Sequence, residues 1–175
     1  VNAAAIDQLL SASSRRKVRP GVDLSESLKG LLMSEQPQTR VTAIRAAGIW
    51  RVDALRTAVF TMARSSSKAP LAEQLAAIES VGAFGGQPAV LELLNLGAND
   101  GEKIEVRIAA IHAMSRLQQN SAIKSAVDVL EKSESVDHIE SLVAPLMSQK
   151  GGAAALAKEL EGSKLSADVA KVALR

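Results

Sequence analysis

Small apolar residues recur along this chain at the three- and four-residue spacing of a helix face. TRVTAIRAAGIW, residues 39–50, shows it first, and one buried stripe of an α-helix needs that spacing. EQLAAIESVGAF (73–84) and VRIAAIHAMSRL (106–117) carry the same arrangement around a central isoleucine, so that Ile44, Ile78 and Ile111 follow one another at steps of 34 and 33 residues. The pattern returns more weakly as IESLVAPLM (139–147) and as VAKVALR (169–175). A second series follows the first at nearly constant distance: DALRTAVFTMA (53–63), PAVLELLNLG (88–97), SAIKSAVDVL (121–130) and GAAALAKEL (152–160). A fixed period of a few tens of residues marks stacked units, and two apolar segments per period predict two helices per unit.

The breakers fall between these segments, at Gly85-Gly86, Asn99-Asp100-Gly101, Asn120-Ser121 and Gly151-Gly152, as expected at helix ends. Pro88 suits a first helical position, Ser121 a helix cap, and Pro145 predicts a kink or break near residues 144–145. Residues 1–37 predict a looser first pair, with helices around Ala3–Leu10 and Leu24–Met33 joined by a long basic loop, SASSRRKVRPG. Residues 38–161 hold the regular repeats, and residues 162–175 open a further helix with Ser166 as its cap. The expectation is an all-α fold, a right-handed α-α superhelix of about five helical pairs.

On a helical wheel Glu105, His112 and Arg116 share one polar stripe, which predicts a surface histidine. Arg107 points between Ile111 and Met114, toward the covered side, where a guanidinium needs a partner. Arg40, Gln74 and His138 occupy the equivalent register, and each can donate a hydrogen bond. The four predict a polar ladder tying each unit to a neighbouring loop, with Asp100 and Asp53 as acceptors.

Composition narrows the class. Aromatic residues are 2% of the chain, with one Trp, two Phe and no Tyr, which favours close-packed helices over strands. The net charge of +2 is the small excess of 21 basic over 19 acidic residues, so no general polyanion partner follows. Without cysteine, disulfides and thiolate metal sites are excluded. No apolar run approaches the ~20 residues of a membrane span, and the first residues lack the order of an export signal. The absence of an initiator methionine suggests a piece of a longer protein.

Candidate chemistry is sparse. His112 and His138 are the two histidines and lie on different repeats, which makes a histidine metal site improbable. Neither a dinucleotide fingerprint nor a phosphate-binding loop is present, and Gly82-Ala-Phe-Gly85-Gly86 reads as a helix end. Ser121-Ala-Ile-Lys124 has the Ser-x-x-Lys spacing of some acyl enzymes but lacks the companion motifs. Carboxylate pairs such as Glu159 with Glu161, or Glu131 with Glu134, sit on ordinary polar faces. No catalytic, cofactor-binding or metal-binding residue is assigned. RRKVR is the one dense basic run, and Arg15, Arg16, Lys17 and Arg19 are candidate anion contacts. The low aromatic content argues against nucleic acid, since stacking platforms would be needed. Trp50 is expected to fill the gap between consecutive units.

VRIAAIHAMSRL and TRVTAIRAAGIW resemble the Val-Arg-x-x-Ala-x-x-Ala helices of HEAT repeats, the armadillo-like α-solenoid family, over roughly residues 38–161. The resemblance implies an elongated surface for protein partners and no catalysis of its own. Arg56, Glu92, Lys124 and Asp128, on the polar stripes of the second helices, are the candidate partner surface. A narrower resemblance, carried by RVDALR and LSADVAKVALR, is to the HEAT-like segment of large exported bacterial proteins that join a sugar-dehydrogenase-like propeller to a c-type cytochrome domain. It implies a spacer between those domains and an exported or periplasmic location; otherwise a cytoplasmic one is expected. No haem-attachment CxxCH occurs in this chain. The alternative function is a nucleic-acid-binding HEAT-like domain of the DNA glycosylase type, using the basic residues 15–19.

Overall fold

The computed structural model describes residues 3–16, 18–64, 68–132 and 135–163. Among these residues the structure is all-α, with ten helices and no strand. In chain order they are α1 (Ala3–Arg16), α2 (Ser25–Leu32), α3 (Pro37–Ile49), α4 (Arg56–Ala63), α5 (Leu71–Phe84), α6 (Gly86–Ala98), α7 (Ile104–Ser115), α8 (Gln119–Leu130), α9 (Val136–Met147) and α10 (Gly152–Leu160). A 3-10 turn, Asp53–Leu55, leads into α4. The chain forms two compact units, Val1–Ala89 and Val90–Arg175. Their boundary falls inside α6 and not at either end of the regular repeats.

In the first unit α3 packs against α1, α2, α4 and α5, and α4 packs against α5. Ile44, Ile78 and Val59 are completely buried there, and the Phe60 and Phe84 rings meet at 6.4 Å in a tilted arrangement, a geometry aromatic pairs favour. Gly48 lets α3 and α5 approach closely, because a Cβ at that position would lie 2.5 Å from the Ser80 Cα. Ser80 fills the space on the other side and donates its hydroxyl to the Ile44 carbonyl at 2.9 Å.

In the second unit α7 packs on α8 and α9, and α10 packs on α8 and α9. Ile111, Met114, Leu142 and Leu93 are completely buried. The periodicity of the sequence thus selects the buried face correctly at all three central isoleucines.

Four local expectations are corrected. The first helix does not stop at Leu10 but runs to Arg16, so Arg15 and Arg16 lie in its last turn and not in a loop. Cations at that end interact favourably with the carbonyl end of the helix dipole, and Arg15 donates through Nε to the Ser11 carbonyl at 3.3 Å. Pro145 neither breaks α9 nor ends it: the helix continues to Met147. The missing N–H falls within the last turn, and Ser148 N–H still reaches the Ala144 carbonyl at 3.1 Å. Ser121 is inside α8, which begins at Gln119, and its hydroxyl donates to the Gln118 Oε1 at 3.1 Å. Pro88 is the third residue of α6, still in the first turn where no intrahelical N–H partner is needed. Ser166 and the further helix predicted at 162–175 lie outside the described residues beyond Ser163.

Candidate interaction surface

Three of the four residues at the common register donate to carbonyls just before their own helix. Arg40, in the first turn of α3, gives Nη1 to the Ser34 carbonyl at 2.6 Å and to the Glu35 carbonyl at 3.1 Å. Gln74 in α5 gives Nε2 to the Ala63 and Arg64 carbonyls at 3.3 and 3.4 Å. Arg107 in α7 gives Nε to the Gly97 carbonyl at 3.1 Å. Each satisfies acceptors that the end of a helix or a connecting loop leaves without partners. His138 is half-buried near the start of α9, where its backbone carbonyl accepts from Ser141.

The carboxylate partners divide the expectation. Asp100 does meet Arg107, at 2.9 Å, and also binds Lys132. The Lys132 ammonium, and then the charge of Arg107, hold the Asp100 carboxyl below the usual carboxylate range. Asp53 is not an acceptor for the register residues: it pairs with Arg56 three residues on, at 2.6 Å. Arg40 instead binds Glu73 through Nε and Nη2 at 2.9 and 2.7 Å. Glu73 is buried at the front of α5 and was not singled out by the sequence. A glutamate one repeat after an arginine is a weak signal among so many solvent-facing carboxylates.

His112 corrects the wheel. It is half-buried and its Nε2–H donates to the Leu142 carbonyl of α9 at 3.1 Å. Burial lowers its pKa below the usual histidine value, helped by the charge of Arg116 and opposed by the Leu142 hydrogen bond. The stripe is polar as predicted, but α9 covers part of it.

The candidate partner residues occupy different settings. Arg56, in the first unit, lies with its guanidinium 4.9 Å from the Phe84 ring centroid and bound to Asp53, so it is committed to internal contacts. In the second unit, Lys124 and Asp128 are exposed on α8, while Glu92 on α6 is half-buried. Lys124 borders a groove of about 290 Å³ shared with Asn120, Ile123, Ala155, Lys158 and Glu159. Lys124, Lys158 and Glu159 make this lining mixed in charge.

A larger and more apolar groove, of about 520 Å³, lies in the first unit. Ile6 and Leu9 from α1, Leu28 and Leu31 from α2, and Trp50 line it, with Arg19 among the few polar side chains. Trp50 is buried beside it and donates Nε1–H to the Ser13 hydroxyl at 3.1 Å. Of the basic run, Arg19 lines this groove and is exposed, while Arg15 and Arg16 are exposed in the last turn of α1. Lys17 lies outside the described residues.

Among the described residues no group of three or more His, Cys, Asp or Glu side chains could hold a metal ion, and no helix is long and apolar enough to cross a membrane. No family model, curated protein or solved structure matches the chain.

Proposed function

We propose that the chain is a HEAT-like right-handed helical superhelix whose role is to bind protein partners, without catalysis of its own. One observation carries this reading. Within each of the two compact units, side-chain hydrogen bonds connect residues one sequence period apart. Between α3 or the turn after it and α5 they join Arg40 to Glu73, Arg45 to Glu79 and Arg51 to the Ala83 carbonyl. Between α7 and α9 or the turn after it they join His112 to the Leu142 carbonyl and Gln149 to Ser115. The residues of each pair are separated by 30 to 34 positions. A repeat in sequence that is also the repeat of contacts is the organisation of a stacked protein, in which each unit touches its neighbours. Such proteins present continuous surfaces, and the exposed apolar side chains of the first unit supply one that a partner would cover.

The test is cross-linking of the immobilised chain to its partners after nuclease treatment, alongside chromatography on heparin. Expected are stoichiometric protein cross-links that survive the nuclease, and elution from heparin at low salt. Retention that falls steeply with salt, together with loss of all partners on nuclease treatment, would instead establish a polyanion binder.

A further inference from the structure

We infer that the groove between α1, α2 and Trp50 receives an amphipathic helix of a partner protein, with acidic residues flanking that helix's apolar face. This rests on the protein-binding reading and names the partner's chemistry. Three observations carry it. The groove is lined mainly by apolar side chains, with Ser13, Ser27 and Arg19 as the polar ones, and Leu9 and Val18 on its lining are 59% and 55% exposed. Large apolar side chains left in water beside a concavity are the complement of a helix that inserts apolar anchors at positions i, i+3, i+4 and i+7.

The second observation is charge. Arg19 lines the groove, Arg15 and Arg16 are exposed in the last turn of α1, and no described carboxylate pairs with any of the three. The acids of the same region are engaged elsewhere: Asp7 accepts from the Thr42 hydroxyl at 3.1 Å, Asp23 from the Ser25 N–H at 2.9 Å, and Glu26 from Lys29 at 2.6 Å. A partner can supply carboxylates for these arginines, and several along one flank of a helix match several guanidiniums better than one small acid does. The third observation concerns Trp50. The residue is 8% exposed and its indole N–H is taken by Ser13, so it forms part of the groove's wall and is a poor stacking platform for a nucleobase.

Trp50 is the single tryptophan of the chain, so its emission reports directly on the groove. The experiment selects a displayed library of 14-residue helix-forming peptides on the whole chain. Enriched peptides are then titrated against the parent and two surface variants, Leu9→Glu and Arg19→Glu, with dodecanoate as a comparison ligand. Circular dichroism confirms that both variants keep the parent's helix content.

Expected are peptides with spaced Leu, Ile, Met or Phe beside Asp or Glu, a saturable shift of Trp50 emission, and roughly tenfold or greater loss of affinity in each variant. Replacing the peptide's Glu by Lys should weaken binding to the parent and restore part of it to Arg19→Glu. An empty selection, peptides without acidic enrichment, or affinities indifferent to both variants would overturn the proposal, as would a Trp50 response to dodecanoate alone. Any of these would leave protein binding standing if nuclease-resistant cross-links form at another surface. Absence of those cross-links would remove the broader reading.

Discussion

Arg107 is 7% exposed yet carries a full charge, and its position is tolerable because Gly97 and Asp100 receive its hydrogens. Replacement by alanine removes the donor and leaves a carbonyl without a partner in a covered place. The expected loss is ~1–3 kcal/mol, read as a lower midpoint in thermal or urea melting, and an unchanged midpoint would show that water replaces the guanidinium freely. His112 adds a dependence on pH. Its folded pKa lies below its unfolded one, so the unfolded chain binds the extra proton and the stabilisation is complete above the ordinary histidine pKa of about 6.5. It is lost as pH falls from there through the folded value. A series of melts between pH 7.5 and 5.5 should show the parent weakening more steeply than His112→Gln; equal slopes would mean that burial does not govern this ring. Arg107 was legible because the helical period alone turns it toward Ile111 and Met114. The setting of His112 was not, since the period describes one helix and α9 is what covers the ring.

At the level of the helix pair, the contact of α3 with α5 depends on a missing side chain. Gly48→Ala would place a methyl group against the Ser80 backbone, and neither helix can yield locally without disturbing the buried Ile44 and Ile78. Overpacking of this kind costs roughly 1–3 kcal/mol, and Ser80→Gly combined with Gly48→Ala should recover little, because the obstructing atoms include the Ser80 Cα. Urea midpoints of the two variants test this, and full recovery in the pair would show that the hydroxymethyl group alone is the obstacle. Glycine in TRVTAIRAAGIW is an unfavourable choice for helix propensity, but the apolar period treats Gly48 as one more small residue, and the close approach to Ser80 was not legible without coordinates. Helix ends were the least legible feature. α1 outran its apolar pattern by six residues through SASSRR, where serines are weak helix formers and only the packing of Ser13 and Trp50 at the same end reveals why the turn persists.

For the molecule as a whole, the repeat in the sequence anticipated an all-helical chain with paired segments, but not the division of the structure into two units within α6. Apolar periodicity runs through PAVLELLNLG without interruption, and nothing in it distinguishes Ala89 from Val90. The division has a measurable consequence, because each unit has its own buried cluster and Trp50 belongs to the first one. When stability is distributed over neighbouring units, a local lesion need not lower the whole chain equally. Tryptophan emission should therefore follow the first unit, while far-ultraviolet circular dichroism follows helices in both. Gly48→Ala should move the emission transition to lower urea and broaden the dichroism transition, with a smaller apparent m-value. Arg107→Ala should do the reverse, shifting dichroism while the emission midpoint stays near that of the parent. If the two signals remain superimposed in both variants, Gly48 and Arg107 act on one cooperative structure, and the units are divisions of geometry without separate stability.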